Sequence, residues 1–313
     1  MIISTKMASL NKSKKNVILC SVCKLAGHRA NSKKFHPDYI PKKDVKAIVK
    51  DKIDMAKSEG LSKRLIQMNE DGRHLTDDSC HSEATLTEAM CEVVAYTKEL
   101  FTSIGATIEQ VKTISLYECQ EYFHKVGGPE PNPENRKVYM KPDGGILMMI
   151  KDDKRIPILI VEDKVQGTND TLFQEGKKRQ ATGNAIERGA KNIRGAEMIF
   201  ANDTIFPYVI FASGCDFHSS ETISKRIEMM NMGVPNHYIE ITSSTTKEMI
   251  DSKIDTIIPS ISIKKVCNKS IASVFVKAHK YNEMKHGSSL WKKDEVVKIC
   301  KKIVDKVFES ISI

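Results

Sequence analysis

No apolar run in this chain approaches the roughly 20 residues that a membrane-spanning helix needs, so a helical span is excluded. The start, Met1 to Leu10, lacks the long apolar stretch of a secretory signal, and the protein is expected in the cytoplasm. Cysteine is thinly spread: of eight, at positions 20, 23, 80, 91, 119, 215, 267 and 300, only Cys20 and Cys23 lie close together. That argues against a disulfide framework and for reduced thiols. Compositional bias is absent too, with 40% hydrophobic and 28% charged residues, which rules out wholesale disorder and a collagenous or coiled-coil rod. There is no internal repeat. What remains is a globular chain of 313 residues, long enough for one large α/β domain with a small appendage or for two medium domains.

Positive charge is present but confined. Lys and Arg outnumber Asp and Glu 14 to five over residues 1–60, while residues 61–313 hold 35 of each, so the whole net charge of +9 lies in an N-terminal arm. A basic arm on a neutral body is the electrostatic footprint of a polyanion binder, although a solubilising tail would look the same.

Three regions follow from the pattern: a basic arm over 1–60, a polar linker over 61–84 and a main domain over 85–313. Within the main domain the spacing predicts a helix over 85–104, opened by a Thr85/Glu88 capping box and ended by Gly105. Residues 127–137 read as loop. Two β-rich runs, 145–150 and 156–164, are joined by a polar turn over 151–155. A helix at 186–200, a buried strand at 206–211, a strand at 238–242 and a last helix at about 292–310 complete the reading. Strands alternating with helices predict an α/β or α+β core.

The chemistry concentrates around Pro142-Asp143-Gly144-Gly145 and Val161-Glu162-Asp163-Lys164. In a strand, Glu162 and Lys164 share a face and Asp163 points away. A hairpin centred between Asp152 and Asp153 sets Asp143 opposite Glu162, with Cβ atoms about 5 Å apart. Two carboxylates so close repel unless a cation lies between them, and hard oxygen ligands on an open site suit Mg²⁺. Lys164 could orient or help deprotonate a water, or neutralise a phosphate. A five-residue loop would shift the pairing by one and turn Asp143 away, unless Gly144-Gly145 forms a bulge that restores it. The alternative is a charged strand end with no catalytic role.

Downstream runs Gly176-Lys177-Lys178-Arg179-Gln180-Ala181-Thr182-Gly183-Asn184-Ala185-Ile186-Glu187-Arg188. It begins basic, becomes small and extended, and opens a helix. Lys177, Lys178 and Arg179 suit phosphates. Asn184 can bind adenine, Ala185 can touch a thymine methyl, and Arg188 can reach a purine N7. Glu187 can hold a neighbouring guanidinium. An ordinary helix entry, capped by Asn184 with Glu187 at its third position, would use the same residues without a ligand.

These segments, together with Phe206-Pro207-Tyr208-Val209-Ile210-Phe211 and Gly214-x-x-Phe217, resemble the EcoRI type II restriction endonuclease family in order and spacing. The resemblance is close over about 139–218 and looser over 85–310. It implies a PD-(D/E)xK core, a mixed five-stranded sheet flanked by helices, acting as a homodimer on palindromic double-stranded DNA. It implies that Asp143 and Glu162 hold Mg²⁺, helped by the backbone carbonyl of Asp163, and that Lys164 is the catalytic lysine. It places Gln166 beside the active site, gives Asn184, Ala185 and Arg188 to the reading of an AATT centre, and gives Glu187 to buttressing arginines across the dimer. Lys178, Arg179, Gln180, Ala181, Thr182 and Gly183 complete the expected DNA contact. The implied products carry 5′ phosphates and 5′ overhangs. A cognate DNA methyltransferase acting on the same site is the further partner that such a system allows. Gln180-Ala181-Thr182 departs from the family's sequences, leaving the flanking base pair open.

Cys20-x2-Cys23-x4-His28-x7-His36 begins like a zinc knuckle, and two Cys with two His would close a tetrahedral structural Zn²⁺ site. The family resemblance does not extend to this module. The expectation is thus a Mg²⁺-dependent site-specific endonuclease with an added zinc-binding arm. Its rivals are a non-cleaving sequence-specific DNA-binding protein and a repair or recombination nuclease of the same fold.

Overall fold

The computed structural model describes residues 77–166, 184–219, 221–234, 237–280 and 289–311. The basic arm with Cys20, Cys23, His28 and His36, and the segment with Lys178, Arg179, Gln180, Ala181, Thr182 and Gly183, lie outside the described residues.

Helix α1 runs over Asp77–Thr102, and strands β1 (Thr107–Val111) and β2 (Ile114–Ser115) follow. Next come α2 (Leu116–His124), β3 (Tyr139–Met140), β4 (Gly145–Lys151) and β5 (Lys154–Val165). Helix α3 spans Asn184–Ile199 and leads to β6 (Tyr208–Ser213), then to α4 (Asp216–Ser219) and α5 (Glu221–Met230). Strand β7 (His237–Glu240), α6 (Lys247–Ile257), β8 (Ser273–Ala278) and α7 (Lys293–Ile311) complete the chain order. The main sheet has six strands in the order β1-β4-β5-β6-β8-β7, and β2 pairs with β3 in a small second sheet. The first three strands are antiparallel, and β5, β6, β8 and β7 run parallel. The expected mixed sheet flanked by helices is present, with six strands rather than five.

The central strands of the sheet are buried on both faces, which is why β4, β5 and β6 read as continuous apolar runs rather than as alternations. In β4, Leu147 and Met149 join a core with α1, α6 and α7, while Ile146 and Met148 join the opposite core with α2, α3 and α5. Strand β6 divides likewise, Val209 and Phe211 to the first core, Tyr208, Ile210 and Ala212 to the second. Helix α7 lies on the first face with Val296, Ile299, Ile303 and Val307 buried, as their spacing predicts.

Several expectations shift. Helix α1 begins at Asp77, so Thr85 lies inside it and caps nothing, and the end of the stretch read as linker is helical. Its C-terminal end is as expected, with Gly105 at φ +71°. The hairpin turn is Asp152-Asp153 alone, not 151–155; both residues are left-handed, at φ +50° and +58°, as a two-residue turn of the type I′ class requires. Strands β1 and β8 carry no separate expectation. β1 mixes exposed, half-buried and buried positions, and β8 follows a polar loop that hides its start. Residues 127–137 contain a short 3-10 turn over Pro133–Lys137, capped by Asn132.

Candidate active site

Strand β5 delivers three site residues to two faces. Glu162 and Lys164 face α3, and Asp163 faces α1. Asp143 must reach them from the far end of β4, and register decides whether it can. From the turn, Lys151 pairs with Lys154 and Met148 with Pro157. A bulge then inserts Ile158, so that Leu147 pairs with Leu159 and Gly145 with Val161. The bulge explains why the consecutive residues Ile158 and Leu159 both enter the same core, and why a proline is tolerated in this strand. Continued straight, the one-residue shift would turn Asp143 away from Glu162.

The chain instead leaves the ladder in a turn. Gly145, at φ +81°, donates its N–H back to the Pro142 carbonyl at 3.0 Å, and Gly144 donates to the Val161 carbonyl at 2.9 Å. A Cβ on Gly144 would lie 2.7 Å from that of Val161, so the approach needs glycine. The turn returns Asp143 to the site. Its N–H donates to Glu162 Oε2 at 3.3 Å, and its Oδ2 accepts from the Asp163 N–H at 3.4 Å.

Lys164 binds the acids together. Its Nζ donates to Asp143 Oδ2 at 2.8 Å, to the Asp163 carbonyl at 2.8 Å and to Glu162 Oε1. Three oxygens from two β-segments thus converge on one cationic centre. That donor set, two carboxylates and a carbonyl, fits a hard divalent ion such as Mg²⁺, with room left for waters. Among the described residues no three His, Cys, Asp or Glu side chains are grouped to hold a metal, and the third oxygen of this set is the backbone carbonyl of Asp163. The stem of Lys164 lies against an apolar hollow lined by Ile210, Ala212, Phe217 and Ile227.

Burial governs the electrostatics. It pushes the Glu162 carboxyl up to about 7, against the lowering pull of Lys164, with Asp143 adding to the rise. Burial also raises Asp163 to about 7, and the hydrogen bond from Ser82 only partly offsets it. For Lys164 burial favours the neutral form, but Glu162 and Asp143 outweigh it and hold the amine above its ordinary value. It is therefore an ammonium and a donor, not a base, in this arrangement.

Asp143, Glu162, Lys164 and the Asp163 carbonyl are thus brought together. Gln166 lies two residues beyond Lys164, its N–H on the Ser213 carbonyl at 2.8 Å and its own carbonyl accepting from the Asp216 N–H at 3.3 Å. Asn184, Ala185, Glu187 and Arg188 fall in the first turns of α3. Glu187 is exposed there, and the side chains of the other three lie outside the described residues. Two residues without a sequence expectation are part of the site. Asn192 of α3 donates to both oxygens of Glu162, and Ser82 of α1 donates to Asp163 Oδ2 at 2.6 Å. Asn192 had a signal: it lies on the inward stripe with Gly189, Ile193, Ala196 and Ile199, where a polar residue needs a partner. Ser82 had none, because its partner is 81 positions away.

No helix among the described residues is long and apolar enough to cross a membrane. The family described as restriction endonuclease EcoRI matches residues 79–312. Type II restriction enzyme EcoRI of Escherichia coli is 30% identical over an alignment of 132 residues that covers 37% of this chain and 47% of that protein. The chain thus spans about half the length of the curated relative it matches.

Proposed function

The chain belongs to the EcoRI restriction endonuclease family, and on that premise we propose that it is a type II restriction endonuclease. It hydrolyses double-stranded DNA as a homodimer at a palindrome with an AATT centre, depends on Mg²⁺, and leaves 5′ phosphates and 5′ overhangs. The observation that carries the reading is the convergence of Asp143 Oδ2, Glu162 Oε1 and the Asp163 carbonyl on the Lys164 ammonium.

Asp143 and Glu162, with the Asp163 carbonyl, would hold the ion. When bound, Mg²⁺ supplies Lewis-acid polarisation of a phosphoryl oxygen. The chain's own groups do the rest. Lys164, charged and anchored by two acids, donates hydrogen bonds to a non-bridging phosphate oxygen or to the attacking water and counters the charge that develops there. Asn192 and the Asp143 N–H fix the carboxylate of Glu162. At the start of α3, Asn184, Ala185 and Arg188 read base edges, Glu187 holds arginines across the dimer, and Lys178 to Gly183 approach the phosphates and the flanking pair. In the arm, Cys20, Cys23, His28 and His36 bind a structural Zn²⁺ and present basic residues to the DNA backbone. A DNA methyltransferase of matching specificity protects the host sites.

The test is digestion of supercoiled plasmid and genomic DNA with Mg²⁺, followed by sequencing of the ends. A fixed ladder whose ends share an AATT-centred palindrome is expected. Intact plasmid carrying AATT sites points to a non-cleaving binder, and random nicking or flap cutting points to a repair nuclease.

A further inference from the structure

Glu162 is 2% exposed, and its carboxylate is gripped from two sides in different ways. The Lys164 ammonium bonds to Oε1, at the point shared with Asp143 Oδ2 and the Asp163 carbonyl. The amide nitrogen of Asn192 lies 3.0 Å from Oε1 and 3.1 Å from Oε2. Near-equal distances set this nitrogen in the mouth between the two oxygens, where a cation chelated by both would sit. The amide is neutral, so it fills that mouth without repelling a cation held at Oε1. Helix α3 carries it, so the grip comes from an element other than β5.

We propose that Asn192 restricts Glu162 to coordinating a cation through one oxygen, and so biases the site toward Mg²⁺ and against Ca²⁺. The inference rests on reading Asp143 and Glu162 as metal ligands. Mg²⁺ demands near-ideal octahedral geometry, dehydrates reluctantly and is satisfied by one oxygen from each carboxylate. Ca²⁺ takes six to eight oxygens and readily uses both oxygens of one carboxylate. Filling the chelating mouth with an N–H donor costs the larger ion a ligand and leaves the smaller one its full set. Asn192 is thus a positioning residue whose effect is read in metal selectivity.

Calorimetric titration of the full-length protein with Mg²⁺ and, separately, with Ca²⁺ tests this. Asn192→Ala is expected to weaken Mg²⁺ binding about tenfold, the usual scale for losing a group that orients a ligand, while Ca²⁺ binding stays within about twofold or tightens. Asn192→Gln, which keeps the amide, should lie nearer the wild-type ratio. Should the alanine variant melt early, Asn192→Ser carries the same comparison. An unchanged Mg²⁺-to-Ca²⁺ ratio in a folded Asn192→Ala protein, with both ions lost in Glu162→Ala, overturns the selectivity role alone. Full retention of both ions in Glu162→Ala overturns the metal assignment along with it.

Discussion

Ser82 Oγ donates to Asp163 Oδ2 at 2.6 Å, fastening helix α1 to the strand whose other face presents Glu162. The bond anchors the residue whose carbonyl looks into the site, and it gives a partner to a carboxyl that burial holds at about 7. An acid raised above its unfolded value of about 4 keeps its proton when folded, at a pH where the unfolded chain has lost it. The contribution of Asp163 to stability is therefore greatest below about pH 4 and is lost as pH climbs toward 7. Asp163→Asn keeps an acceptor for Ser82 and has no proton to lose. Relative to wild type, this variant should gain stability between pH 5 and pH 8, by up to roughly 3 kcal/mol. Urea unfolding at the two pH values measures it, and a difference that does not change with pH contradicts the burial of the carboxyl. Glu162 is raised as well, but it is common to both proteins and cancels in the comparison.

Asp143→Ala and Glu162→Ala should each abolish DNA cutting while leaving site-specific binding in place. The first removes an oxygen from the convergence on Lys164, and the second removes its most buried member. Plasmid cleavage and gel-shift assays on one preparation separate the two properties. Cutting at the wild-type rate in either variant would take these acids out of the chemistry.

How much of this could be read from the sequence depends on the range of the interaction. The buried strands, the last helix and the β4–β5 hairpin follow from local pattern, because apolar runs, a polar turn and strand alternation are short-range rules. The bulge at Ile158 was not legible. It inserts one residue without changing composition, and only the opposite irregularity at Gly144-Gly145 keeps Asp143 on the site. The start of α1 was missed because Asp77 to Glu83 is polar and lacks an apolar stripe, while its Ser82 is held by Asp163 across the fold. The acidic side chain in the middle of Glu162-Asp163-Lys164 points away from the site, as strand alternation predicts. On the other face it finds Ser82.

Asn184→Ala and Arg188→Ala should each cost about 1–3 kcal/mol of discrimination between the preferred site and one changed at a single base pair. Competition binding against single-substituted duplexes reads the value position by position. An unchanged fragment pattern at an unchanged rate would remove both residues from base reading.

Deletion of residues 1–40 should weaken DNA affinity and flatten its dependence on salt, because the arm carries the chain's positive excess. Each lost phosphate contact lowers the slope of log affinity against log salt by about 0.9. The cleavage site should stay the same. A changed site would mean that the arm reads bases.

The most direct measurement is anomalous diffraction from crystals of the protein bound to its cognate DNA and soaked in Mn²⁺. The account predicts a peak ligated by Asp143, Glu162 and the Asp163 carbonyl, beside a phosphate of the bound strand, with the Lys164 amine moved off the acids toward that phosphate. No peak between those side chains, with the DNA in place, would contradict it.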